Sequence, residues 1–81
     1  MEYNNDAIFV GTFGCIDAWV MLAGGCYWDV VFINNETNDK EYVGQIRRTY
    51  MGMWEYYDGS RFRQCDVLEY IIESFINMDT E

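Results

Sequence analysis

The chain has no histidine and no proline, five basic residues against fourteen acidic ones, and three cysteines in 81 residues. Each shortage excludes something. Without histidine there is no Ser-His-Asp or Cys-His arrangement to activate a nucleophile. Zinc would need Cys15, Cys26, Cys65 and a carboxylate gathered from distant positions, because no two cysteines have C-x-x-C spacing. An odd number of scattered cysteines is not a disulfide framework, and three small, buried, reduced thiols are expected. No apolar run approaches the roughly 20 residues that span a bilayer. The first six residues, Met-Glu-Tyr-Asn-Asn-Asp, are acidic where a signal peptide needs a basic segment, so a cytoplasmic location is expected. There is no G-x-x-x-x-G-K-[ST] loop and no G-x-G-x-x-G fingerprint. Gly11-Thr12-Phe13-Gly14 and Gly24-Gly25 are too short and too poor in lysine to cradle a phosphate, and read as turns.

What is present is apolar and aromatic. Hydrophobic residues make up 51% and aromatics 19%, enough buried surface to exclude a disordered chain. The length fits one compact domain over residues 1–81. Ala7 to Phe13 is a β-branched and aromatic run that reads as a strand ended by Gly14. Ile16, Trp19, Val20 and Ala23 then recur at i, i+3, i+4 and i+7, which predicts a short helix stopped by Gly24-Gly25. The apolar run Trp19-Val20-Met21-Leu22 leaves a strand as the alternative. Cys26 to Ile33 is strongly strand-like, the polar segment Asn34–Lys40 is a connection, and Glu41 to Tyr50 is the next strand. Met51-Gly52 and Asp58-Gly59 read as two-residue hairpin turns flanking strands at Met53–Tyr57 and Ser60–Arg63. Asp66, with Glu69 three residues on, has capping-box spacing. It opens a C-terminal amphipathic helix bearing Leu68, Ile71, Ile72 and Phe75 on one face, with a frayed tail from Met78. The expected fold is α+β: an antiparallel meander of four or five strands, a short helix after the first strand, and a C-terminal helix covering one sheet face.

Charge is unevenly spread. Residues 1–39 hold six acids and no base, and residues 64–81 hold five acids and no base. Residues 40–63 hold all five bases and three acids, so the net charges along the chain are −6, +2 and −5. Asp66, Glu69 and Glu73 fall at i, i+3 and i+7, about one turn apart on one helix face. A row of carboxylates can occupy Lys/Arg sites that otherwise grip a phosphate backbone. An ordinary solvated helix face accounts for the same three residues.

With both hairpin turns two residues long, Arg48 faces Glu55 as a cross-strand ion pair, and Tyr50 faces Met53. Ile46, Tyr50, Met53, Tyr57 and Phe62 then form the core face, and Arg47, Trp54, Tyr56, Arg61 and Arg63 the other. Exposed, the second set combines rigid aromatic area with planar donors. Alternatively, Trp54 and Tyr56 pack under a helix with the arginine stems over them. A one-residue slip in either turn exchanges the faces.

In its charge of −9 and the Asp66, Glu69, Glu73 row, the chain resembles the small acidic proteins that phages use against host defence, such as anti-CRISPR proteins and DNA-mimicking restriction inhibitors. That resemblance implies a stoichiometric protein inhibitor in the host cytoplasm, not an enzyme. It would need no cofactor or metal and would occupy the groove of a basic, nucleic-acid-binding host protein or complex. Trp54, Tyr56 or Tyr42 would anchor it. The basic hairpin departs from a pure mimic. A nucleotide-sequestering protein using Arg47, Arg61 and Arg63 beside Trp54 and Tyr56 is the second reading. An antitoxin or immunity protein is a third. Direct binding to a polyanion is disfavoured by −9, and exposed aromatics or an open sheet edge would allow a homodimer.

Overall fold

The computed structural model describes residues 7–79, and side chains through Asn77. Six strands, β1 (Ala7–Phe13), β2 (Ile16–Gly24), β3 (Tyr27–Asn34), β4 (Lys40–Arg48), β5 (Trp54–Tyr57) and β6 (Phe62–Cys65), precede one helix, α1 (Leu68–Asp79). The strands form a single antiparallel, curled sheet in the order β1-β2-β3-β4-β5-β6, each paired with its neighbours in sequence. The expected four- to five-stranded α+β arrangement is therefore corrected to a mostly β fold. The short helix after the first strand does not exist, and its residues form β2. The reason lies in composition. Ala18 to Ala23 is apolar at every position and so satisfies a period of 3.6 and a period of 2 equally. Two turns of isolated helix are marginal, whereas nine extended residues between glycine turns pair along their length with β1 and β3.

One sheet face is covered by α1. Ala18, Val20, Val30, Phe32 and Ile46 point to it and meet Ile71, Ile72 and Phe75, all buried. Gly44 opposes Val30 on this inner face, and the Phe75 ring lies directly on it. The Phe75 ring also meets the Tyr56 ring edge to face, at 5.6 Å between centroids. The helix begins one residue later than the capping-box spacing implies. The carbonyl of Val67, not Asp66, accepts from the amides of Tyr70 and Ile71. At the other end α1 continues through Asp79, past the expected start of a frayed tail. Thr80 and Glu81 lie outside the described residues, as do the acidic first six.

The two last hairpins set the faces differently from expectation. Thr49 pairs with Met53 across a three-residue loop: the Gly52 amide donates to the Thr49 carbonyl at 2.9 Å and Gly52 has φ +85°. This is the three-residue hairpin with a left-handed third position, a geometry that demands glycine as strongly as a two-residue turn does. The extra residue shifts the register by one, so Arg47, not Arg48, faces Glu55, and Arg48 faces Trp54. In the next hairpin the turn centres on Gly59-Ser60, with Asp58 opposite Arg61 and Tyr57 opposite Phe62. Asp58 Oδ1 accepts from the amides of Ser60 and Arg61, which places the carboxylate before the turn and not within it.

The cysteines also depart from expectation. Cys15 and Cys26 are exposed, each the second central residue of a two-residue turn, after Gly14 (φ +67°) and Gly25 (φ +55°) respectively. Cys65 is half-buried against the core. Among the described residues no helix is long and apolar enough to cross a membrane.

Candidate functional site

The one-residue shift decides where the aromatic and basic hairpin residues go. Trp54 and Tyr56 face the helix and pack on the core, and Trp54 meets Trp28 edge to face at 6.1 Å. Arg47 lies on the opposite, outer face. Its Nε donates to Glu55 Oε1 at 2.7 Å and its guanidinium stacks 3.7 Å from the Phe62 ring centre. Pairing with Glu55 first, and with Tyr27 second, holds Arg47 above even the usual arginine range. Arg48 lies over the Trp54 ring. Arg63 pairs with Asp58, and Arg61 is exposed in the turn. That contact with Arg63, reinforced by the Arg61 and Ser60 amides, holds the Asp58 carboxyl far below the usual carboxylate range. The structure thus does not bring Arg47, Trp54, Tyr56, Arg61 and Arg63 to one surface. Arg47, Arg48 and Arg63 are engaged with carboxylates or rings of the same hairpin region, which locally offsets the basic segment seen in the sequence.

The acids behave differently. Asp66, Glu69 and Glu73 are all exposed, and neither of the two described ion pairs includes them. Glu69 and Glu73 are one turn apart on the outer side of α1, with Tyr70 exposed between them, while Asp66 lies just before the helix. A second exposed acidic group, Glu36, Asp39 and Glu41, gathers around the β3–β4 loop, held by Asn34, whose Oδ1 accepts from the Glu36 and Thr37 amides. Counting acids in the polar segment finds these residues, but their placement around one loop needs the strand ends.

Two apolar features were not legible as surfaces in the sequence. The first is the β4–β5 hairpin tip. Tyr50 and Met51 are 98% and 73% exposed there. The loop that bears them is fixed by the hydrogen bonds of Gly52 to Thr49 and of the Met53 amide to Thr49 Oγ1. Antiparallel topology puts this tip at the same end of the sheet as Asp66, since Trp54 pairs with Cys65. The second feature is the outer sheet face, which no element covers among the described residues. Register aligns Phe9, Trp19, Val31 and Tyr42 in one row across β1 to β4. Phe9 and Trp19 are in ring contact at 5.0 Å, Val31 is fully buried, and Tyr42 is 62% exposed. Beside this row is a shallow groove of about 440 Å³ lined by Ala23, Gly24, Tyr27, Gln45 and Phe62, the last being the ring under Arg47.

Comparison of the chain with family models, with curated proteins and with solved structures yields no match.

Proposed function

We propose that this chain is a stoichiometric binding protein that occupies a cationic, nucleic-acid-binding surface of another protein, in the manner of the small acidic inhibitors it resembles. The observation that carries the reading is the asymmetry of its charges. Arg47, Arg48 and Arg63 turn back onto Glu55, Trp54 and Asp58, whereas Asp66, Glu69 and Glu73 stand exposed outside the described ion pairs. The exposed carboxylates of α1 and of the segment before it are thus offset by no cation of the described ion pairs. The Tyr50–Met51 tip adds an apolar anchor of the kind that carries binding energy, on a loop already fixed by hydrogen bonds. It replaces Trp54 and Tyr56 as the anchor, because those rings are packed under α1. Because Arg47 lies on the face opposite Trp54 and Tyr56, the hairpin does not gather the set of residues on which a nucleotide site was expected.

Affinity capture from a bacterial lysate tests the reading. The expected prey is a nucleic-acid-binding protein retained at low salt, released by high salt, and displaced by excess duplex DNA. Retention that persists in high salt and ignores DNA would overturn it. So would full capture by the Asp66→Lys, Glu69→Lys, Glu73→Lys triple variant.

A further inference from the structure

We propose, resting on the anionic binding reading, that the partner's site is one that holds a single nucleic-acid strand. Exposed tyrosine rings of this chain stand in there for unpaired bases, and the carboxylates beside them for phosphates. The key observation is Tyr70. Its side chain is 63% exposed on α1, with exposed Glu69 before it and exposed Glu73 three residues on. Glu73 neighbours both Tyr70 at i, i+3 and Glu69 at i, i+4, so a planar ring is set among charges on one side of the helix. Tyr50, at the β4–β5 tip, is a second such ring and is 98% exposed. Neither ring stacks on another among the described residues. Tyr50 projects from the end of the sheet at which the chain leaves β6 for Asp66, just beyond the Trp54–Cys65 pair.

Spacing and chemistry both favour one strand over two. Four helical residues rise about 6 Å, which is the axial separation of Glu69 and Glu73. Duplex DNA carries one charge per roughly 1.7 Å of its axis, so between three and four over that length, whereas one of its strands carries about two. The helix offers two carboxylates there, the density of one strand. A duplex also keeps its base faces inside the stack and shows only backbone and base edges, so imitating it calls for no ring. An unpaired strand turns its base faces out, and proteins that hold one take them on aromatic side chains within a positively charged groove. Tyr70 beside Glu69 and Glu73 answers both parts of such a groove. Tyr50 does so on a loop already fixed by the Gly52 and Met53 hydrogen bonds to Thr49, so little ordering remains to be done on binding.

Competitive elution tests this. Bacterial lysate is bound to immobilised oligothymidine and, separately, to an immobilised DNA duplex, and each matrix is eluted with the purified full chain at one low ionic strength. Wild type is expected to release protein from the single-strand matrix at a concentration at least about 10-fold below that needed on the duplex. The Tyr50→Ala, Tyr70→Ala variant should need at least about 10-fold more than wild type on the single-strand matrix, although its charge is unchanged. The Tyr50→Phe, Tyr70→Phe variant should recover most of the loss, because the planar ring returns. Circular dichroism checks that both variants remain folded. Release from the duplex at an equal or lower concentration, an alanine variant as effective as wild type, or a phenylalanine variant as weak as the alanine one would each overturn the single-strand assignment and leave the anionic reading standing. Release from neither matrix would overturn both.

Discussion

The seat of Phe75 on Gly44 makes a quantitative prediction. A Cβ added at Gly44 would lie 2.6 Å from Phe75 Cζ and 3.1 Å from Cδ1, and closer still to Cε1. Phe75 cannot swing away freely, because it is 5% exposed and its ring abuts Tyr56. Overpacking of this kind costs about 1–3 kcal/mol. Reduced freedom of the unfolded chain returns about 0.4–1 kcal/mol when alanine replaces glycine. The net loss for Gly44→Ala is then about 1–2 kcal/mol, a fall in Tm of roughly 5–15 °C for a chain of this size. Thermal unfolding followed by circular dichroism reads it directly. Phe75→Leu should be destabilising by itself through loss of ring contacts, yet it should relieve the clash, so the double variant should be more stable than the two single losses imply by about 1 kcal/mol or more. An unchanged Tm for Gly44→Ala, or losses that add within about 0.5 kcal/mol in the double variant, would show that the ring does not rest on this glycine.

Other outcomes follow from the same contacts. Asp58 has its folded pKa depressed by Arg63 and two amides, so its stabilising contribution is complete above the unfolded carboxylate range near 4 and is lost as pH falls toward the folded value. The Tm gap between wild type and Asp58→Asn should therefore be widest near neutrality and narrow progressively in acid, and a pH-independent gap would contradict that origin. Gly52→Ala, at φ +85°, should cost about 1–2 kcal/mol in chemical denaturation through backbone strain, since an added Cβ would meet only Arg48 Nη2, at an ordinary contact distance of 4.0 Å. Tyr50→Ala with Met51→Ser should leave Tm nearly unchanged but weaken capture of a partner, because both side chains are almost wholly solvent-exposed.

How far the sequence could be read differs from element to element, for identifiable reasons. β1 was legible to its bounds because Ala7–Phe13 is β-branched and aromatic and glycine follows. The C-terminal helix was legible from the spacing of Leu68, Ile71, Ile72 and Phe75, three of which form the buried stripe. β2 was misread because a run apolar on every side carries no period at all; both of its faces lie against other side chains, Ala18 and Val20 on the inner and Trp19 on the outer. The hairpin residues were recognised but not their faces. A glycine with positive φ serves a two-residue and a three-residue loop equally, and the single extra residue at Tyr50–Gly52 exchanged Trp54 and Tyr56 with Tyr57 and Phe62 between the faces. The excess of acids could be counted directly. That Arg47 would meet Glu55 and Arg48 would lie over Trp54 could not, because it depends on that same register.

Because every strand pairs with the one before it, all hairpins can form from nearby residues, and assembly of the sheet requires no long search. The exception is α1, which touches β1 as well as β5 and β6 and so joins the two margins of the sheet. Until that last segment docks, Val20, Val30 and Ile46 have no cover on the side it will occupy. A chain cut before Leu68 should hold its hairpins yet clump through this unroofed floor, which makes the terminal helix the step that turns a sticky ribbon into a finished protein.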